Sequence, residues 1–136
     1  MRFLLDTNIV SETMRVAPNR RLLSKLSQHE GQYAVSVVTW QELVYGIERL
    51  PDGARKQGLQ AVLVDLRPTL PMLPLSFEAA AWLGVERARL EKKGKNTSTE
   101  DGQIAATAWA SNLTVVTANK KHFSLFRGVS VVDWTK

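Results

Sequence analysis

Short apolar runs alternate with longer stretches in which apolar residues recur at helical spacing. The apolar runs predict strands at residues 2–5, 33–36, 113–117 and 129–132. The helical stretches predict helices at residues 9–14, 19–28, 39–50, 54–66, 76–93 and 104–111. Residues 72–75 predict a further extended segment that is irregular or near a sheet edge, because Pro74 cannot donate a backbone hydrogen bond.

This alternation predicts an α/β fold with a short, mostly parallel sheet covered by helices on both faces. The chain contains no repeat, low-complexity tract or long linker, so residues 1–136 are expected to form a single domain. In such sheets ligands bind beyond the carboxyl ends of the strands. The residues that directly follow each strand are therefore the ones to inspect for chemistry.

Composition excludes several other classes of protein. The chain is 44% hydrophobic and 23% charged, as in soluble globular proteins, and no stretch is apolar for long enough to span a membrane. Asp6 interrupts the first apolar run, which therefore cannot be the core of a signal peptide. The absence of cysteine excludes disulfides and thiolate metal sites, and it is compatible with a cytoplasmic location.

The net charge of +5 favours a polyanionic partner, although a solvated basic surface explains the charge equally well. Six basic residues are candidates for contacts with phosphate groups. They are Arg15, Arg20, Arg21, Lys92, Lys93 and Lys95.

Three acidic residues occupy the positions at which chemistry is expected. Asp6 follows the first predicted strand, Glu42 lies just inside the helix after the second, and Asp101 opens the alanine-rich helix. Thr117 and Asn119 follow the strand at residues 113–117. Because parallel strands end at the same edge of a sheet, these side chains are expected to meet in one pocket.

Three carboxylates in a partly dry pocket repel one another and need a cation to stay ionised. Ligands that offer only oxygen select hard ions, so Mg²⁺ or Mn²⁺ is the expected metal. Such an ion lowers the pKa of bound water and stabilises charge on a phosphodiester. The pattern therefore favours a metal-dependent nuclease.

Each acid also has a purely structural explanation. Thr39 and Glu42 match the capping-box pattern at a helix start, and Ser98 and Asp101 fit the same role. Asp6 could cap the helix that follows it. The residues alone leave these alternatives open.

Other polar and aromatic residues give weaker signals. Asn8 could hold the turn after Asp6 or orient its carboxylate, whereas His29 and His122 are expected on the surface. The tryptophans are expected to be core or interface anchors rather than base-stacking platforms. They are Trp40, Trp82, Trp109 and Trp134.

Four segments, taken in order, resemble the PIN-domain family and, within it, the VapC and FitB-like toxins of bacterial toxin–antitoxin pairs. The segments are Leu4-Leu5-Asp6-Thr7-Asn8-Ile9, Thr39-x-x-Glu42-Leu43, Asp101-x-x-Ile104-Ala105-Ala106-Thr107-Ala108 and Val116-Thr117-x-Asn119. The resemblance runs from one end of the chain to the other.

The resemblance implies a three-layer α/β/α sandwich and Mg²⁺- or Mn²⁺-dependent endoribonuclease activity, usually in a homodimer. It also implies a small cognate antitoxin whose Arg-bearing tail blocks the site. Asp6, Glu42 and Asp101 fall on the metal-binding acids of the family. Asn119 and His122 fall on two positions where relatives carry a fourth acid, so this chain has no acid at either.

In the expected mechanism the three acids hold the ion and a deprotonated water attacks the phosphorus of RNA in line. Thr7, Asn8, Thr117 and Asn119 are expected to orient carboxylates and water by hydrogen bonds. The main alternative is a catalytically weak or inactive PIN-fold module that binds nucleic acid, which the missing fourth acid favours. Two other classes fit less well. A haloacid-dehalogenase-like phosphatase needs an Asp where Asn8 stands, and a response-regulator receiver needs an acceptor Asp that residues 72–76 do not provide.

Overall fold

A computed structural model describes all residues of the chain, 1–136. The strands are β1 Phe3–Leu5, β2 Tyr33–Ser36, β3 Met72–Leu73, β4 Thr114–Val116 and β5 Val131–Val132. The helices are α1 Thr7–Thr13, α2 Arg20–Gln28, α3 Val37–Glu48, α4 Ala54–Leu66, α5 Phe77–Lys92, α6 Thr99–Ala110 and α7 Lys120–Phe123. The strands form one sheet in the order β3-β2-β1-β4-β5, and every neighbouring pair is parallel. The predicted α/β class and parallel sheet are confirmed.

Successive side chains of the central strand β1 point into two different hydrophobic cores. Leu4 packs with residues of α5 and α6, whereas Phe3 and Leu5 pack with residues of α1 to α4. The same alternation divides Val115 from Val116 on β4. Because strand side chains alternate between faces, each core lies on its own face of the sheet. The fold is therefore the expected three-layer α/β/α sandwich.

Several element boundaries differ from the prediction because of local capping. The α3 helix begins at Val37 rather than at Thr39, since the Ser36 hydroxyl accepts a hydrogen bond of 3.0 Å from the Val38 amide. The α6 helix begins five residues before Ile104, since Ser98 accepts a hydrogen bond of 3.1 Å from the amide of Asp101. The short helix α7 was not predicted at all. In contrast, β3 lies at a sheet edge, as Pro74 indicated.

Aromatic rings stack in two places in the fold. The ring of His29 stacks on Trp134 at 5.0 Å between centroids and meets Phe3 edge-on at 4.9 Å. The prediction that His29 is a surface residue was therefore wrong, because its partners come from both ends of the chain. Trp82 stacks on Trp109 at 5.0 Å. Trp134 is buried, as expected of a core anchor, whereas Trp109 is 39% exposed.

A buried ion pair fastens α5 to the segment that follows α7. Glu86 accepts two hydrogen bonds from the Arg89 guanidinium, of 3.0 and 2.7 Å, and one of 2.7 Å from the Arg127 amide. Arg89 also donates a hydrogen bond of 2.8 Å to the carbonyl of Leu125. These bonds fix the chain directly after α7. Finally, none of the helices has both the length and the apolar character that a bilayer crossing requires.

Candidate active site at the carboxyl edge of the sheet

Asp6 lies at the centre of the carboxyl edge of the sheet, between the ends of β1 and β4. Its amide donates a hydrogen bond of 3.0 Å to the carbonyl of Val116, and only 3% of the residue is exposed. The Asp6 side chain makes no capping hydrogen bond to α1. Instead, its Oδ2 accepts a hydrogen bond of 2.9 Å from the hydroxyl of Thr117. Asp6 thus holds the N-cap position of α1 through its backbone, while its carboxylate is oriented by Thr117 and not by a cap bond.

The surroundings of Asp6 disfavour its charged form. Burial, together with the nearby carboxylates of Asp101 and Glu42, raises the pKa of Asp6 to about 6, although the hydrogen bonds from the Thr117 hydroxyl and the Thr7 backbone lower it. An anion held in this environment lacks a compensating positive charge.

Glu42 lies in the second turn of α3, beyond the reach of a capping box. Its Oε1 accepts a hydrogen bond of 2.5 Å from the hydroxyl of Thr7, which also lies 3.1 Å from the Thr39 hydroxyl. Burial raises the pKa of Glu42, and the charges of Asp101 and Glu100 raise it too. The capping-box explanation was wrong for Glu42, because Ser36 rather than Thr39 caps the helix.

Asp101 stands in the first turn of α6, where Ser98 serves as the cap. Its backbone plays the expected helix-start role, while its carboxylate Oδ2 lies 3.1 Å from Nε2 of His122. The side chain of His122 is 24% exposed. The prediction that His122 is a surface residue was therefore wrong. No local pattern indicated this contact, because the two residues lie 21 positions apart.

The three acids lie at the same edge of the sheet, but they do not form a closed ligand cage. Asp101 raises the pKa of both Asp6 and Glu42, so all three lie within electrostatic reach. No three acidic or histidine side chains enclose a common point in the manner of metal ligands. The structure thus brings the predicted acids to one edge without showing their ligand geometry.

The predicted supporting residues divide into two groups. Thr7 and Thr117 hold Glu42 and Asp6, and the Thr117 hydroxyl also accepts a hydrogen bond of 2.9 Å from the Asn119 amide. The side chains of Asn8 and Asn119 belong to exposed residues, and neither orients an acid by a hydrogen bond. Their proposed roles toward a ligand stay predictions.

The candidate phosphate contacts lie on separate segments. Arg15 follows α1 and pairs with Glu12 at 3.2 Å, whereas Arg20 and Arg21 are exposed at the start of α2. The exposed lysines cluster around the loop that leads into α6, directly before Asp101. They are Lys92, Lys93 and Lys95. Contact with RNA stays a prediction for all six residues.

An apolar groove of about 900 Å³ borders the acidic edge between α1, α3 and α4, and we call it the α3–α4 groove. Leu43, Ile47 and Leu59 contribute to its apolar lining, and Glu42 lies at its border with the acids. Three arginines, Arg15, Arg49 and Arg55, also line the groove and supply positive charge. Sequence inspection did not identify this groove, since its walls come from three helices.

The fold and the acidic edge together define a class of protein. It is an α/β/α sandwich with several carboxylates beyond the ends of its parallel strands. The model of the PIN domain matches residues 3–128, and the chain belongs to the PIN-domain family.

Individual relatives agree with this assignment. The chain is 30% identical over 135 residues to the "tRNA(fMet)-specific endonuclease VapC" of Shigella flexneri, covering 99% of each chain. It is 35% identical over 127 residues to "Toxin FitB" of Neisseria gonorrhoeae, covering 88% of this chain and 89% of the relative. Among solved structures, DNA-bound VapBC from Salmonella typhimurium superposes with a TM-score of 0.88 at 29% identity, over 98% of each chain.

Proposed function

We propose that this protein is a metal-dependent endoribonuclease and the toxin of a VapBC-type toxin–antitoxin pair. One structural observation carries the catalytic part of the proposal. The buried carboxylate of Asp6 accepts a hydrogen bond from Thr117 and lies within electrostatic reach of Glu42 and Asp101 at the carboxyl edge of a parallel sheet. The names of the Shigella and Neisseria relatives support ribonuclease activity and the role of toxin.

The donor chemistry of the site fits Mg²⁺ or Mn²⁺. Asp6 is an almost fully buried anion whose pKa is raised by burial and by two other carboxylates, and such a group is stabilised by a hard cation. Asp6, Glu42 and Asp101 would hold the ion, with the Asn119 carbonyl oxygen as a further candidate. When bound, the ion supplies Lewis-acid stabilisation of the charge that develops on a phosphodiester during hydrolysis.

Hydroxyl groups of the chain orient two of the acidic side chains by hydrogen bonds. Thr117 holds Oδ2 of Asp6 in one orientation, and the amide of Asn119 in turn holds the Thr117 hydroxyl. Thr7 does the same for Oε1 of Glu42 from the first turn of α1. Because each hydroxyl is itself constrained, the carboxylates keep their orientation without reorganisation during the reaction.

An antitoxin is the expected partner, and the α3–α4 groove is its expected binding site. The similar Salmonella VapBC complex supports an assembled toxin with its partner chain. The groove is lined by apolar side chains such as Leu43 and Ile47 and leads to Glu42, so an amphipathic segment lying in it would reach the acids. A basic side chain at the end of that segment would then neutralise them.

A homodimer is also part of the proposal. Three large apolar residues are strongly exposed on helices, and their burial against a second copy would remove them from water. They are Val64 at 71%, Phe77 at 84% and Val85 at 70% exposure.

Cleavage of RNA in the presence and absence of EDTA tests the proposed activity. Total RNA and initiator tRNA are incubated with the protein in Mg²⁺ or Mn²⁺, and product ends are mapped. We expect cleavage that EDTA abolishes and that Asp6→Asn abolishes, whereas Asp65→Asn, an exposed acid on α4, leaves it unchanged.

The same preparation separates the enzyme from the non-cleaving alternative. RNA that is bound but not cut, with equal affinity in EDTA, would contradict the proposed hydrolysis and support a nucleic-acid-binding module.

A further inference from the structure

We propose that His122 is a nitrogen ligand of the divalent ion in this site, in place of a fourth acid, and that it shifts the metal preference from Mg²⁺ toward Mn²⁺. The inference rests on the proposed metal-dependent function. It concerns a histidine, which the carboxylate pattern does not assign to the metal.

The first observation is an unpartnered nitrogen at the site. Nε2 of His122 is buried and has no hydrogen-bond partner, and it is the only buried side-chain nitrogen or oxygen of the chain in this condition. It lies 3.1 Å from Oδ2 of Asp101, but the two atoms are not aligned for a hydrogen bond. Buried polar atoms are rarely left without a hydrogen-bond partner. We therefore infer that this nitrogen binds a ligand.

The second observation is that the ring is held in place from several sides. The His122 amide donates a hydrogen bond of 3.2 Å to the Asn119 carbonyl at the start of α7. The ring meets Phe123 edge-on at 6.0 Å, and Phe123 is 1% exposed. Beyond α7, Glu86 fixes the chain through the amide of Arg127. The nitrogen thus lies beside Asp101 on a segment that these contacts anchor.

The ligand chemistry follows from these two facts. An imidazole nitrogen can offer a lone pair to a cation, and the Asp101 oxygen that lies 3.1 Å from Nε2 of His122 can offer another. Two such acceptors at 3.1 Å are stabilised by a shared cation. Mg²⁺ demands oxygen ligands, whereas transition ions also accept imidazole, so a nitrogen ligand disfavours Mg²⁺ relative to Mn²⁺.

Pulsed electron paramagnetic resonance of the Mn²⁺-loaded protein tests this directly. The chain contains only two histidines, so the variant His29→Gln leaves His122 as the single imidazole. We expect a ¹⁴N hyperfine coupling to Mn²⁺ in the wild type and in His29→Gln, replaced by a ¹⁵N coupling when the histidine is labelled. This readout needs neither RNA cleavage nor a change at His122.

Substitutions of His122 provide a second test of the ligand role. His122→Gln should lose the nitrogen coupling and bind Mn²⁺ on the order of tenfold more weakly. His122→Asp should raise the affinity for Mg²⁺ relative to Mn²⁺, because an oxygen ligand is restored. Circular dichroism verifies that each variant is folded.

Two results would overturn the inference in distinguishable ways. Mn²⁺ that binds without any nitrogen coupling would remove His122 from the ligand set and leave the carboxylate site intact; an imidazolium paired with Asp101 would give this result. Absence of Mn²⁺ binding in the wild type would overturn both the ligand role of His122 and the proposed metal site.

Discussion

The hydroxyl of Thr117 donates a hydrogen bond of 2.9 Å to Oδ2 of Asp6, joining two residues that stand 111 positions apart in the chain. The bond crosses from β4 to β1 at the carboxyl edge of the sheet. Both residues are buried, with Asp6 at 3% and Thr117 at 0% exposure. The orientation of the central carboxylate therefore depends on the pairing of these two strands.

Removal of the Thr117 hydroxyl should impair the site more than the fold. We expect Thr117→Val to reduce RNA cleavage roughly 10- to 100-fold, because the Asp6 carboxylate loses the bond that orients it. Thr117→Ser keeps the donor and should restore most of the activity. Thr114→Val on the same strand is the matched control, since its hydroxyl makes no hydrogen bond. Equal rates for the valine and serine variants at position 117 would contradict an orienting role.

Asp6 should destabilise the metal-free fold at neutral pH. Its pKa is about 6 in the folded protein against 3.8 in a free chain, so below pH 3.8 it is protonated in both states. Between these values only the folded state holds the proton, and stability falls as the pH rises. Above pH 6 the folded state carries the whole cost, at most about 3 kcal/mol.

Asp6→Asn should therefore raise the melting temperature in EDTA at pH 7.5 and have little effect near pH 4. Thermal unfolding followed at both pH values measures this difference. A variant that is less stable than the wild type at pH 7.5 would show that Asp6 serves the fold rather than a ligand.

The Glu86 ion pair should stabilise the segment that carries His122. The hydrogen bond from Arg89 holds the pKa of Glu86 below 4.5, so the stabilisation is present above that value and is lost as the pH falls through the lowered pKa. We expect Glu86→Ala to lower the melting temperature at pH 7 by on the order of 5 to 10 °C. Glu91→Ala, an exposed acid on the same helix, serves as the control. Similar melting temperatures for the two variants would contradict the anchoring role.

Local sequence patterns predicted the features that depend on local physics. The bounds of β2 and α4 agree with the prediction, because alternation, helical periodicity and flanking turn residues all lie within a few positions. The convergence of Asp6, Glu42 and Asp101 at one edge followed from a single rule about parallel strands. No pattern of spacing could give the distances among them.

The missed features depend on contacts between distant residues. His29 and His122 looked like surface residues because their partners, Trp134 and Asp101, are far away in sequence. The bond from the Arg127 amide to Glu86 was not foreseeable either, because the two residues are 41 positions apart. The start of α3 was misplaced because Ser36 and Thr39 are both competent caps, and it is the Ser36 hydroxyl that accepts the hydrogen bond from the Val38 amide.

Mn²⁺ binding measured by calorimetry tests the central claim. That claim is that the carboxylates of Asp6, Glu42 and Asp101 share one divalent cation. We predict one site in the wild type, weakened at least about tenfold by each of Asp6→Asn, Glu42→Gln and Asp101→Asn and unchanged by Asp65→Asn. Wild-type affinity in all three site variants, or no Mn²⁺ binding in the wild type, would contradict the account.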